Sequence, residues 1–257
     1  MLDDLRETLR YWRVVHLLGF STLRSRYARS RFGQAWITIS NALFILVVGF
    51  IWSKIWKMPV AEYLPYVGIG YVMFLLLSQS LSESCSVLVL DARVYSNESR
   101  PFLLSVFALV YKNLIIFLHN LPLIIAFSLW SGGLNGLTFA YPAYWLMTIL
   151  FLVSAGYGFA LLCARFRDFT QIVALVMQTA FLLTPVVWQM DFVPADFRDA
   201  VILFNPFAAF IEMLRGPLLG VAVSPLVLLS ASLWTFGSFA LAWMIHNWLR
   251  REIIFWI

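Results

Sequence analysis

Six apolar stretches, each long enough to cross a bilayer as a helix, take up most of the sequence: residues 35–56, 63–90, 104–130, 141–163, 170–190 and 225–248. A hydrocarbon core about 30 Å thick requires roughly 20 apolar residues in helical conformation. Unbroken apolarity over such lengths excludes the strands of a membrane barrel, which alternate over about ten residues. The chain is 62% hydrophobic and only 12% charged, whereas a soluble domain is roughly 45–50% apolar and about 25% charged. That surplus has to face lipid. The expected fold is therefore an all-α polytopic membrane protein with six transmembrane helices. Between the spans lie short polar breaks such as KMPVAEY, DARVYSNESRP, SGGLNG and ARFRDF. Trp36, Trp52, Trp56, Trp130, Trp145, Trp188 and Trp248 fall near span ends, where interfacial anchors belong.

Charge then orients the bundle. Seven arginines precede the first span: Arg6, Arg10, Arg13, Arg24, Arg26, Arg29 and Arg31. With the amino terminus inside, fourteen of the eighteen Lys and Arg residues lie on the cytoplasmic side, and Lys54, Lys57, Arg198 and Arg215 lie outside. The positive-inside rule thus predicts a bacterial inner-membrane protein with both termini cytoplasmic. Basic blocks beside apolar spans report topology rather than nucleic-acid binding. No signal-peptide core is expected ahead of the first span. Residues 201–221 are apolar enough to tempt a seventh span, but Asn205-Pro206 and Gly216-Pro217 interrupt them, and Glu212 and Arg215 lie inside. Residues 191–224 are instead expected to form short re-entrant or interfacial helices between spans five and six, backed by protein.

Residues 1–34 are expected to form a cytoplasmic interfacial arm, and residues 35–257 a single transmembrane domain. In the arm, Leu5, Leu9, Trp12 and His16 share one helical stripe, with Arg6, Arg10 and Arg13 beside it. That is the pattern of a helix lying in the headgroup plane.

Catalytic motifs are missing. No lysine follows a glycine, so the chain has no P-loop, and it lacks HExxH, paired CxxC and G-x-S-x-G patterns. No cofactor or metal is expected on this chain. Cys85 and Cys163 sit in apolar runs and make no disulfide framework. The ionisable groups well inside the spans, Glu83, Lys112 and His119, are too few for a proton relay. His119, beside Asn120 and Pro122, reads as a helix-packing hydrogen-bonder. Glu83, among four serines, reads either as the wall of a wet cavity or as a satisfied packing residue. The chain is a membrane scaffold whose energy has to come from elsewhere.

Two stretches are more specific. Residues 24–36, RSRYARSRFGQAW, carry an R-Y-x-x-S-x-x-G-x-x-W spacing on Arg26, Tyr27, Ser30, Gly33 and Trp36. Residues 164–173 and 181–188, ARFRDFTQIV and FLLTPVVW, place an R-F-R-D turn at Arg165–Asp168 and a T-P-V element at Thr184, Pro185 and Val186. With the six-span layout, these resemble the ABC-2 permeases that export capsular polysaccharide, O-antigen or teichoic acid, and the likeness runs along essentially the whole chain. The short carboxy terminus and the basic entrance favour the capsular branch.

The resemblance implies a homodimer, each copy docked to a separate cytoplasmic ABC ATPase that carries the ATP and Mg²⁺. The cargo would be a lipid-linked polysaccharide, handed to periplasmic or outer-membrane export proteins. Aromatic residues make up 17% of the chain, and an aromatic face accepts the C–H face of a sugar without gripping it. Phe44, Phe50, Trp52, Tyr66, Phe74 and Trp188 are the expected path residues. Arg24, Arg26, Arg29 and Arg31 suit an anionic head group at the entrance, since the guanidinium fork holds phosphate bidentately. Residues 91–102, with Asp91, Arg93, Glu98 and Arg100, are expected to form a coupling element against the ATPase, and Arg165, Arg167 and Asp168 a second contact. The rivals are an ABC-2 exporter of a small lipid or drug and a membrane-embedded glycolipid-processing enzyme. The second would need a carboxylate-rich Mg²⁺ loop, and the cytoplasmic loops hold only Asp91, Glu98 and Asp168.

Overall fold

A computed structural model describes residues 2–27, 32–92, 100–133, 138–249 and 252–253. Apart from one short 3₁₀ turn at Met190–Phe192, the regular elements among them are α-helices. In chain order they are α1 (Leu2–Arg10), α2 (Trp12–Tyr27), α3 (Ala35–Ile55), α4 (Val60–Leu90), α5 (Leu103–His119) and α6 (Leu121–Trp130). These are followed by α7 (Tyr141–Arg165), α8 (Asp168–Leu183), α9 (Ala195–Phe204), α10 (Pro206–Leu218) and α11 (Pro225–Leu249).

Among the described residues, α3, α4, α7 and α11 are each long and apolar enough to cross a membrane alone. Helices α5 and α6 make one further stretch, bent by 47°. The bend falls at Asn120, just before Pro122, whose ring and missing N–H break the helical ladder. Helix α8 stops at Leu183, short of the 170–190 span read from hydropathy. The cause is local: Thr184 precedes Pro185 and is driven into the extended region, φ −90° and ψ 140°. Helices α9 and α10 meet at 98°, the turned-back geometry expected of residues 191–224.

Helix α4 is the axis of the bundle. It packs against α3, α5, α6, α7, α8 and α10, while α7 and α11 make the other extensive pairing. Close approach depends on small residues, the usual device where lipid gives no hydrophobic drive between helices. A Cβ on Gly70 would stand 2.7 Å from Arg215 Nη1, and one on Gly156 would stand 2.6 Å from Ser84 Oγ. By contrast α3 is thinly covered: 17% of its apolar stretch is buried, against 67% for α4.

The amino-terminal arm forms two helices rather than one, and both lie against α5. The face it buries is not the Leu5–Leu9–Trp12–His16 stripe. Thr8, Gly19 and Leu23 are the buried positions, whereas Leu9 and Trp12 are exposed and Leu5 is half-buried on the core. Gly19 decides this, because its missing side chain lets α2 reach Tyr111 and the carbonyl of Ala108. His16 Nδ1 then lies 2.6 Å from the Tyr111 hydroxyl. On α1, Asp4 lies 3.5 Å from His246 Nε2, whose other ring nitrogen meets the Tyr157 hydroxyl at 2.8 Å.

Candidate functional site

The two ends of the bundle hold its polar chemistry. Helices α4 and α7 run parallel, since Gly156 sits beside Ser84 and both helices end shortly after. Asp91 and the Arg165–Asp168 turn therefore share one end with the amino-terminal arm. At this end Ser105 donates to the Asp91 carboxylate at 2.5 Å. Arg165, Arg167 and Asp168 are exposed, and the Arg165 guanidinium lies 5.5 Å from the Phe166 ring. Arg100 is half-buried. Arg93 and Glu98 fall outside the described residues, as do Arg29 and Arg31. Arg24 is exposed on the last turns of α2, and Arg26 belongs to the same helix.

The motif glycine has a backbone reason. Gly33 adopts φ +53°, the left-handed region that side-chain-bearing residues rarely enter, and so turns the arm into α3. Beside it Phe32 and Trp36 stack at 6.1 Å. His119 meets Gln34 Oε1 at 2.8 Å through Nε2 and its own helix's Ile115 carbonyl at 2.7 Å through Nδ1. It is a satisfied packing residue.

Further along α3, three of the expected path residues share its uncovered surface. Phe44 is partly exposed and stacked on Tyr71 at 4.3 Å; Phe50 is exposed with Lys54 Nζ 5.7 Å away; Trp52 stacks on Trp56 at 5.9 Å. Phe74 departs from the expectation. It is buried between Phe181 and Phe207, at 5.2 and 5.5 Å, and shows no face to a path.

Tyr66 and Trp188 belong to the far end, in a polar knot that no local pattern foretells. Arg215 of α10 is fully buried. Its Nη1 donates to the Pro185 carbonyl at 3.0 Å and the Tyr66 carbonyl at 3.5 Å, its Nη2 donates to Glu212, and its guanidinium lies 3.6 Å from the Tyr66 ring centre. The Tyr66 hydroxyl donates to the carbonyls of Pro185 and Trp188, both at 3.2 Å, and Tyr63 donates to Val187. Asn205, at the α9–α10 corner, caps α10 through Ala208 and donates to Thr184 Oγ1 at 3.0 Å. The T-P-V element is thus the strap that ties the re-entrant hairpin to α4.

Two cavities stand out. One, of about 1220 Å³, lies among α7, α8, α9 and α11 and is almost wholly apolar; Trp188, Met177 and Phe204 are in its wall. The other, of about 180 Å³, lies between α3, α4 and α5 and is polar, with Ser40, Asn41, Gln79, Asn113 and Asn120 around it. Beside it Lys112 Nζ donates to Glu83 at 2.5 Å, which makes Glu83 a paired residue. Sequence reasoning passed over these amides. The signal was there, because four side-chain amides inside apolar spans are costly unless they meet one another or a ligand. Among the described residues no group of three or more His, Cys, Asp or Glu side chains could hold a metal ion.

Lipid-length helices, a turned-back hairpin before the last one and a basic arm at one end define a polytopic membrane domain. Residues 13–219 match the ABC-2 type transporter family, and the chain belongs to that family. It is similar to two O-antigen export system permease proteins RfbA of Klebsiella pneumoniae, with 25% and 23% identity over 191 residues, 74% of this chain and 73% of each relative. It is also similar to the O-antigen export system permease protein RfbA of Myxococcus xanthus, with 22% identity over 252 residues, 93% of this chain and 96% of the relative.

Proposed function

We propose that this chain is the membrane-spanning subunit of an ATP-driven exporter that moves a lipid-linked surface polysaccharide out across a bacterial inner membrane. The observation that carries the reading is the full-length similarity to O-antigen export permeases, 93% of this chain against 96% of the relative. The relatives' names point to the O-antigen branch ahead of the capsular one. Physical features of the bundle support a shared path. Helix α3 carries Leu43, Phe44, Val47, Phe50 and Ile51 uncovered in the single chain, a face suited to a second copy and to the cargo between the copies. The arm end is cytoplasmic in this reading, so Arg24, Arg26, Arg29 and Arg31 receive an anionic head group. Asp91, Arg93, Glu98, Arg100 and the Arg165–Asp168 turn meet a separate ATPase.

One observation favours a second reading. The apolar cavity of about 1220 Å³ would suit an exporter of a small lipid.

The test is deletion of the gene and complementation with the full chain, reading glycan at the cell surface and lipid-linked glycan in the inner membrane. Deletion should strand the glycan inside, and the chain together with its ATPase should restore it. Normal surface glycan in the deletion strain, with a phospholipid or small lipid retained instead, would overturn the polysaccharide reading.

A further inference from the structure

We propose that the polar cavity between α3, α4 and α5 is a seat for one neutral, hydroxyl-rich sugar residue of the cargo; this rests on the polysaccharide reading above. Ser40 and Asn41 of α3, Gln79 of α4, and Asn113 and Asn120 of α5 surround about 180 Å³. At roughly 30 Å³ per water molecule that space equals about six waters, room enough for one pyranose ring.

The polar groups are not all satisfied by helix packing. Asn41 Nδ2 donates to Asn120 Oδ1 at 3.0 Å. Asn113 Nδ2 donates to Ser80 Oγ at 3.2 Å and to Glu83 Oε2 at 3.1 Å. The Glu83 carboxylate, paired with Lys112, only accepts, and this fixes the orientation of the Asn113 amide. Asn113 Oδ1 is then left without a partner in a residue only 2% exposed. Because the Asn113 amide is clamped in this way, the hydrogen-bonding capacity open to a guest lies with Ser40, Asn41, Gln79 and Asn120.

Charge selects the class of donor. Lys112 and Glu83 neutralise each other at 2.5 Å, and the five polar side chains in the wall carry no charge. A phosphate or carboxylate would find no free cation among these wall residues, whereas hydroxyls can both donate to and accept from the amides. The wall also holds an aromatic ring. It is that of Phe117, which is 6% exposed and held in place by Trp145 at 4.8 Å. Hydroxyl partners next to an aromatic face match the two sides of a sugar ring; bound water alone would need only the first. The seat lies about 7.5 Å along α3 from its start at Ala35. It is one residue wide, so it would hold the chain in register without gripping the polymer.

The reporter is Leu75→Cys, at a wall position that contributes no hydrogen bond to the cavity. Its modification by a hydrophilic methanethiosulfonate is followed in inner-membrane vesicles containing the full chain and its ATPase. A chain without the reporter corrects for Cys85 and Cys163, which are buried. Vesicles from cells making the glycan are compared with vesicles from cells blocked in its synthesis. Modification should be about tenfold slower with glycan, the occupancy effect of one or two hydrogen bonds, and Gln79→Leu should abolish that difference. Equal rapid modification in both preparations would show a water-filled cavity only, and equal absence of modification would show a sealed one; either overturns the proposal. Failure of the chain to restore surface glycan in the deletion strain would instead remove the polysaccharide reading on which it rests.

Discussion

At one end of the bundle buried polar atoms close on one another; at the other they leave a hole. Arg215 meets Glu212, two backbone carbonyls and a tyrosine ring, and only its Nε lacks a partner among the described residues. The Asn113 cluster is built from neutral amides, and it retains about 180 Å³ and an unmatched acceptor. A charge this deep in protein is tolerated only with its counter-ion and hydrogen bonds around it, and with a single Nε left over that site is closed and fixed. Neutral amides cost less to leave partly open, which is what allows a site to wait for a ligand. The difference separates a structural clasp, which ties the re-entrant hairpin to α4, from a place where something can bind.

The largest effect should come from removing the counter-charge of the clasp. Glu212→Ala leaves a fully buried guanidinium uncompensated and should cost about 3–5 kcal/mol, seen as a large fall in Tm of the purified chain in detergent. An unchanged Tm would mean that the arginine is hydrated and the clasp is not closed. A smaller loss, about 1 kcal/mol, is expected for Tyr66→Phe, which removes a hydroxyl shared between the Pro185 and Trp188 carbonyls but keeps the ring under Arg215. Cysteine accessibility at Trp188 should rise with it as the strap loosens. The smallest effect on stability belongs to the open end. Gln79→Leu should move Tm by no more than the equivalent of about 0.5 kcal/mol, while surface glycan falls. If Gln79→Leu destabilises as much as Tyr66→Phe, the two ends are both structural and the contrast fails.

Several boundaries were legible residue by residue. The hairpin at 191–224 followed from Asn205-Pro206 and from the charges inside it, because proline and an unpaired charge both act on their own neighbourhood. The end of α8 at Leu183 was equally available in Thr184-Pro185, but hydropathy alone carried the expected span on to Met190. The arm shows a different limit. Its apolar stripe leaves Leu9 and Trp12 exposed, while the face that packs on the bundle is the one with Gly19, which allows the close approach to Tyr111 and stood out in no local pattern. Phe74 was expected at a path because aromatics suit sugars, yet burial depends on Phe181 and Phe207 from two other helices.

The sequence by itself determined that this chain lives in lipid, roughly where its long helices run, which end is basic, and that it carries no P-loop. These are local properties: in hydrocarbon each segment must satisfy its own backbone, so length, apolarity and proline decide the outcome within a few turns. Only the tertiary structure decided which polar residues meet. A helical stretch apolar all round has no distinguished face, so nothing within residues 63–77 of α4 says that Gly70 receives Arg215, or that Tyr66 pairs with a residue 149 positions away. Asn41, Gln79, Asn113 and Asn120 become one cavity only when α3, α4 and α5 are set side by side at the depth where their amides coincide. That alignment is fixed by close packing of small and large side chains between helices, a property of pairs of surfaces and not of any single stretch of chain.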